Sequence, residues 1–182
     1  MTAQQKFVYS AIGAEGGQEL WISDGTDAGT RLLKEIAPGA ASSSPVDFTA
    51  MADGRVLFRA NTDVSGNELW VTDGTEEGTV LVKDIFPGTT ASTPMAFAPM
   101  EDGRVLFTAT DGTHGHELWV TDGTEAGTFM LKDIYAGSTG SSPTAFAALG
   151  DGRMVFGADD GTNGREVWVT DGTEAGTFML KD

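Results

Sequence analysis

His114 and His116 stand two residues apart, a spacing that on a strand would present both imidazoles to one metal ion. The chain has no cysteine and no third histidine to complete a ligand set, so the pair reads as part of an exposed loop and no metal is expected. Hydroxyl groups offer a second chemistry. Ser43, Ser44, Ser92, Thr93, Ser141 and Ser142 fall at matching places in three loops, and with Thr113, His114 and His116 they form the candidate ligand-binding set. Such groups suit a polar ligand such as a sugar, and equally the backbone of their own loops, which is the reading favoured here. Asp24, Asp73, Asp122 and Asp171 each open an Asp-Gly-Thr turn followed by another acidic residue. They either cap that turn or, with backbone carbonyls, hold calcium; the alternating carboxylates of a calcium loop are missing, which favours capping. Nothing resembles a Ser-His-Asp set or an acid and base in opposed environments, so no catalytic residue and no cofactor is expected.

These groups recur because the chain repeats. Glu19-Leu20-Trp21, Glu68-Leu69-Trp70, Glu117-Leu118-Trp119 and Glu166-Val167-Trp168 follow one another at an unbroken interval of 49 residues, and residues 119 to 133 and 168 to 182 are identical. Copies this alike indicate recent duplication or a consensus-like array, and either predicts units of one shape. A period of this size fits a propeller blade or a helical-solenoid unit. One unit, from about residue 95 to 143, holds four short apolar stretches: Ala96 to Met100, Arg104 to Ala109, Glu117 to Thr121 and Thr128 to Ile134. Short Gly-containing turns separate them, and Tyr135 to Pro143 forms the one long connection. That pattern predicts a four-stranded antiparallel meander handing over to the next, which is propeller connectivity. A helical solenoid is excluded by turns that recur too often for any sustained helical periodicity.

Alternation places Leu118 and Val120 on one face of their strand and Trp119 on the other, so both faces are apolar and each Trp is expected in a seam between blades. There an aromatic ring contributes on the order of 3 to 5 kcal/mol against truncation to Ala. The blades are expected at about residues 6–36, 46–85, 95–134 and 144–182. Lys6-Phe7-Val8-Tyr9 aligns with Arg153-Met154-Val155-Phe156, so the first blade begins at its second strand and lacks its inner one, unless Met1 to Gln5 supplies a stub. The fold class is therefore all-β, a β-propeller of four-stranded antiparallel blades, four per chain, the first without its inner strand.

The 182 residues carry 11 Lys plus Arg against 27 Asp plus Glu, a formal charge of −16, which repels nucleic acid and anionic membrane. No run of about 18 apolar residues is present, which predicts a soluble chain, and the first residues do not read as a signal peptide.

The pattern Glu-Leu-Trp-x-x-Asp-Gly-Thr at Glu19 to Thr26, Glu68 to Thr75 and Glu117 to Thr124, with Val for Leu at Glu166 to Thr173, resembles the bacterial ELWxxDGT repeat family. The resemblance covers nearly the whole chain. It implies a tandem propeller-type repeat of exported or surface proteins, without an assigned enzymatic activity. The function expected on these grounds is a non-enzymatic scaffold or protein-interaction module; the alternative is a multivalent lectin with one interblade site per blade, and a hydrolase is a distant third. Self-association is expected, two chains closing an eight-bladed ring, with a four-bladed monomer or a piece of a longer array as the alternatives.

Overall fold

The structure is a computed structural model that describes residues 6–13 and 16–181. Its fifteen strands form four antiparallel sheets, each in chain order, and no helix occurs among the described residues. The first sheet holds β1 (Phe7–Ile12), β2 (Gln18–Ser23) and β3 (Arg31–Lys34). The second holds β4 (Val46–Ala50), β5 (Val56–Thr62), β6 (Gly66–Thr72) and β7 (Val80–Lys83). In the third are β8 (Met95–Pro99), β9 (Val105–Ala109), β10 (Glu117–Thr121) and β11 (Phe129–Lys132), and in the fourth β12 (Thr144–Ala148), β13 (Met154–Asp159), β14 (Arg165–Thr170) and β15 (Phe178–Lys181). These are four blades, three of them four-stranded. The first has three strands because β1 corresponds to β5, β9 and β13; the stub suggested for Met1 to Gln5 lies outside the described residues.

The innermost strands β4, β8 and β12 lie beside one another, and β1 lies beside β4. Each four-stranded blade is bent at the same place. Register shifts between Val46 and Thr49, Met95 and Ala98, and Thr144 and Ala147, and the residue after each strand start, Asp47, Ala96 or Ala145, has φ of 60°, 57° or 59°. An extra residue in the left-handed region bends and twists a strand locally, so each of these inner strands is kinked near its start.

Period-2 alternation then assigns the faces. Leu118, Val120 and Leu131 of the third blade pack with Phe156 and Trp168 of the fourth, while Trp119 and Phe107 pack with Leu69, Val71 and Val82 of the second. Leu20, Ile22 and Leu33 of the first blade meet Phe58 and Trp70 of the second in the same manner. Each seam thus sets an aliphatic face against an aromatic ladder. In the third blade that ladder runs Phe97, Phe107, Trp119, with centroid separations of 5.7 Å and 6.2 Å. Phe48, Phe58, Trp70 and Phe146, Phe156, Trp168 repeat it.

The two ends of the array keep these faces open. Val167 and Leu180 are 51% and 49% exposed, whereas Leu118 and Leu131 at the same repeat positions are 0% and 4% exposed. Trp21 is half-buried where Trp70, Trp119 and Trp168 are buried.

Candidate functional site

The glutamate of each Glu-Leu-Trp motif shares a strand face with the Trp two residues on, so it is carried into the seam with it. Buried carboxylates require donors. Glu117 receives Ile134 N at 2.9 Å and Tyr135 N at 3.2 Å from the start of the long loop. It also receives Ser141 N at 2.8 Å and Ser141 Oγ at 2.5 Å from the loop's end. Glu68 holds Ile85 N, Ser92 N and Ser92 Oγ in the same way, and Glu19 holds Ile36 N, Ser43 N and Ser43 Oγ. One side chain therefore fixes both ends of the connection that leads from an outer strand to the next inner strand.

The turns before Trp21, Trp70 and Trp119 lean on that loop. A Cβ on Gly115, whose φ is 61°, would lie 2.5 Å from Gly140 N, whereas one on Gly164, φ 86°, would meet nothing within 4 Å. Both substitutions incur the left-handed strain, and the first adds a backbone collision. Gly115→Ala is therefore expected to lower stability in urea by about 2 kcal/mol more than Gly164→Ala.

The Asp-Gly-Thr turns are capped by their own aspartates. Asp122 Oδ1 accepts Thr124 N at 2.8 Å and Thr124 Oγ1 at 2.6 Å, and Thr124 Oγ1 accepts Gly127 N at 3.0 Å. The outward carbonyls of the turn serve the preceding blade. Arg55 donates to Asp122 O and Gly123 O at 2.7 Å and 3.1 Å, Lys83 Nζ to Thr128 O at 2.8 Å, and one blade on, Arg104 reaches Gly172 O and Lys132 reaches Thr177 O. The turns of the third and fourth blades are thus polar latches to the blade before them. The sequence reading assigned the Asp to its turn and missed both the cationic latch and the glutamate clamp. Their signal was a Glu kept in all four copies on a strand apolar on both faces, and a Lys kept at the end of every fourth strand.

The hydroxyl candidates separate into two groups. Ser43, Ser92 and Ser141 are fully buried with their hydroxyls on the clamp glutamates, so no ligand reaches them. The pairing of Ser141 with Glu117 has no approach for a substrate, since both side chains are 0% exposed. Ser44, Thr93 and Ser142 follow these residues with φ of 47°, 49° and 48°, and their amides donate to Gln18 O, Asn67 O and His116 O. Thr113 is exposed, its amide on Asp111 Oδ1 at 2.8 Å. The two histidines do not converge on one ion: His114 Nδ1 lies 2.8 Å from Asp111 Oδ2, and His116 Nδ1 is buried without a partner. Among the described residues no group of three or more His, Asp or Glu is placed to hold a metal.

Burial raises the Glu68 and Glu117 carboxyls above their ordinary value of 4.5, against the pull of the donors around them. The bond from the following Thr hydroxyl lowers Asp73, Asp122 and Asp171 below 3.8. The aspartates contribute stability that is present above 3.8 and lost as pH falls through their lowered values; the glutamates contribute stability that is present below 4.5 and lost as pH rises through their raised values. The hydrogen bond to Asp111 raises His114, which therefore contributes below 6.5 and loses that contribution above its raised value. Net charge of −16 adds self-repulsion toward neutral pH. The urea midpoint is accordingly expected to be higher near pH 4.5 than at about pH 8. Equal midpoints would remove the glutamates and the self-repulsion from this account.

No family model matches the chain, and no curated protein matches it. Solved structures do. The chain is similar to puromycin hydrolase at 20% identity and a TM-score of 0.57, over 97% of this chain and 28% of that one. A structure of a puromycin hydrolase mutant complexed with PGG matches at 18% identity and a TM-score of 0.59, over 96% and 26%. A catalytically inactive virginiamycin B lyase from Staphylococcus aureus with quinupristin has 15% identity and a TM-score of 0.44, over 100% and 73%. The chain thus spans little more than a quarter of the puromycin hydrolase structures, and the likeness is one of fold. It corrects the expectation of a non-enzymatic scaffold or interaction module, together with its lectin alternative. The two puromycin hydrolase structures that share this fold are those of an enzyme, and a missing catalytic set in the blades does not separate a scaffold from part of an enzyme. No particular enzymatic activity follows for this chain.

Proposed function

We propose that the chain is the propeller portion of a hydrolytic assembly, its blades bounding the approach to a reacting centre that other residues supply. The observation that carries this reading is the match of 97% of the chain to 28% of a hydrolase. Supporting it, the recurring polar groups of the blades are committed to structure: the glutamates clamp loops, the turn aspartates cap turns, and Arg55, Arg104, Lys83 and Lys132 latch neighbouring blades. Two measurements test it. The isolated chain is expected to give no turnover of chromogenic aminoacyl anilides and no labelling by a fluorophosphonate, and the coding sequence adjoining these residues is expected to specify a catalytic domain. A serine of this chain that is labelled stoichiometrically, or flanking sequence that encodes no such domain, would overturn the proposal.

The open faces at the two ends favour a second property, self-association. Val167 and Leu180 present the aliphatic face that Leu118 and Leu131 bury against an aromatic ladder, and half-buried Trp21 presents the opposite kind of face. Contact between the end of one chain and the start of another would repeat an interface already used three times inside the chain.

A further inference from the structure

The innermost strand of each four-stranded blade enters in the same way. Ser43 to Phe48, Ser92 to Phe97 and Ser141 to Phe146 share the pattern Ser-x-Pro-x-x-Phe. Two backbone bonds frame each of these strands against its neighbour. At one end Ser43 O, Ser92 O and Ser141 O accept Asn61 N, Thr110 N and Asp159 N at 2.8, 3.1 and 3.0 Å. At the other, Met51 N, Met100 N and Leu149 N donate to Arg55 O, Arg104 O and Arg153 O at 2.8, 2.8 and 2.9 Å. Between the two bonds a phenylalanine ring lies against the next ring of the ladder: Phe48 on Phe58, Phe97 on Phe107 and Phe146 on Phe156, with centroids 5.6, 5.7 and 5.3 Å apart.

In the first blade no strand among the described residues pairs with β1 on that side, yet β1 carries the matching groups. Lys6, Tyr9 and Ile12 hold the places of Arg55, Phe58 and Asn61. Backbone groups alternate between the two edges of a strand, so Lys6, Val8, Ser10 and Ile12 turn theirs away from β2, to the edge that β4 occupies on β5. The rings differ accordingly. Phe58, Phe107 and Phe156 are 0%, 0% and 2% exposed, whereas Tyr9 is half-buried, and Phe7, its centroid 5.7 Å from that of Tyr9, is 54% exposed. An unpaired edge flanked by exposed apolar side chains is a template for a further strand.

We infer that the edge of β1 captures, by strand addition, an extended segment of a partner polypeptide that carries the pattern Ser-x-Pro-x-x-Phe and no acidic residue. The three complete blades define the pose: the serine carbonyl on Ile12 N, the phenylalanine ring on Tyr9, and the amide that follows the strand on Lys6 O. They also define the charge. Asp47 of the second blade is paired with Arg59 at 2.7 Å, but the counterpart of Arg59 on β1 is Ser10, and a chain of net charge −16 repels an acidic segment. On its far side the added strand continues an interface already present, since β4, β8 and β12 lie side by side and β1 lies beside β4.

Titration calorimetry and amide hydrogen exchange test the site with a synthetic peptide of residues 92–100, acetylated and amidated, added to the whole chain. The peptide is expected to bind once per chain. Exchange at Val8, Ser10 and Ile12 is expected to slow by about tenfold or more, while Tyr9 and Ala11, whose backbone groups face β2, stay unchanged. The same peptide carrying Phe97→Ala is expected to bind about tenfold more weakly, because it brings no ring to Tyr9. In the protein, Ser10→Pro removes an amide from the middle of the free edge, where proline is tolerated, and is expected to abolish capture. The peptide comparison decides the matter on the unaltered chain should that variant not fold. No binding at millimolar peptide, equal binding of the Phe97→Ala peptide, or protection that falls on strands other than β1 overturns the inference. The result is separate from the hydrolytic reading, because no readout involves turnover.

Discussion

Replacing Glu117 by Ala is expected to lower the free energy of unfolding by about 3 to 5 kcal/mol, while the same change at Glu166 is expected to lower it by less than about 1 kcal/mol. The two residues occupy the same place in the repeat and differ in what they hold. Glu117 is 0% exposed and receives three backbone amides and a serine hydroxyl from the loop between the third and fourth blades. Truncation leaves those donors in a seam that water does not reach, each at a cost of about 1 to 3 kcal/mol, partly offset where the loop relaxes. Glu166 is half-buried and has no following loop to hold among the described residues. Glu117→Gln is expected to fall between them, because the amide keeps one acceptor but turns an NH2 toward donors. Urea unfolding of the three variants measures the differences, and equal losses at Glu117 and Glu166 would show that the loop clamp contributes nothing.

The chain is expected to pair with a second copy, and paired Val167→Asp and Leu180→Asp substitutions are expected to leave it monomeric without changing its fold. Both side chains are about half exposed, so charges there are solvated in the single chain and buried only when another blade covers the face. The contact is heterologous, aliphatic end to aromatic end, and such a contact either closes a ring or continues without limit. The expected form is the closed pair, two chains in one eight-bladed ring, seen in sedimentation as a mass that rises with concentration and stops at two chains. Trp21→Asp on the opposite end is expected to give the same result. A wild-type chain that remains monomeric at high concentration contradicts the proposal. A mass that keeps growing contradicts the ring and retains the end-to-end contact.

The period of 49 residues, the Asp-Gly turns and the apolar alternation were enough to identify four blades, their strand order and the side of each strand that carries the Trp. All of these are local: a turn residue fixes its own φ, and alternation fixes which neighbours share a face, before any blade meets another. The burial of Trp70, Trp119 and Trp168 also followed, since a strand apolar on both sides has to be covered on both sides.

What the tertiary structure decided lies in contacts 17 to 68 residues apart in the chain. Glu117 meets Ser141 across 24 residues, and Arg55 meets the Gly123 carbonyl across 68. Repetition marks such residues as kept without saying what they touch. The loop serines illustrate the loss: Ser43, Ser92 and Ser141 suit a ligand by composition, and only the fold shows that a buried glutamate takes their hydroxyls. The absence of a catalytic set, read from the chain as the mark of a scaffold, did not survive a match to a fraction of a hydrolase. Ala37 is the converse case. Phe86 and Tyr135 stand at the same place one and two repeats on, so its departure is visible in the sequence, but the cavity of about 630 Å³ that Ala37 lines with Trp70 and Leu81 exists because the second blade packs over it, and a void is a property of two surfaces rather than of one chain segment.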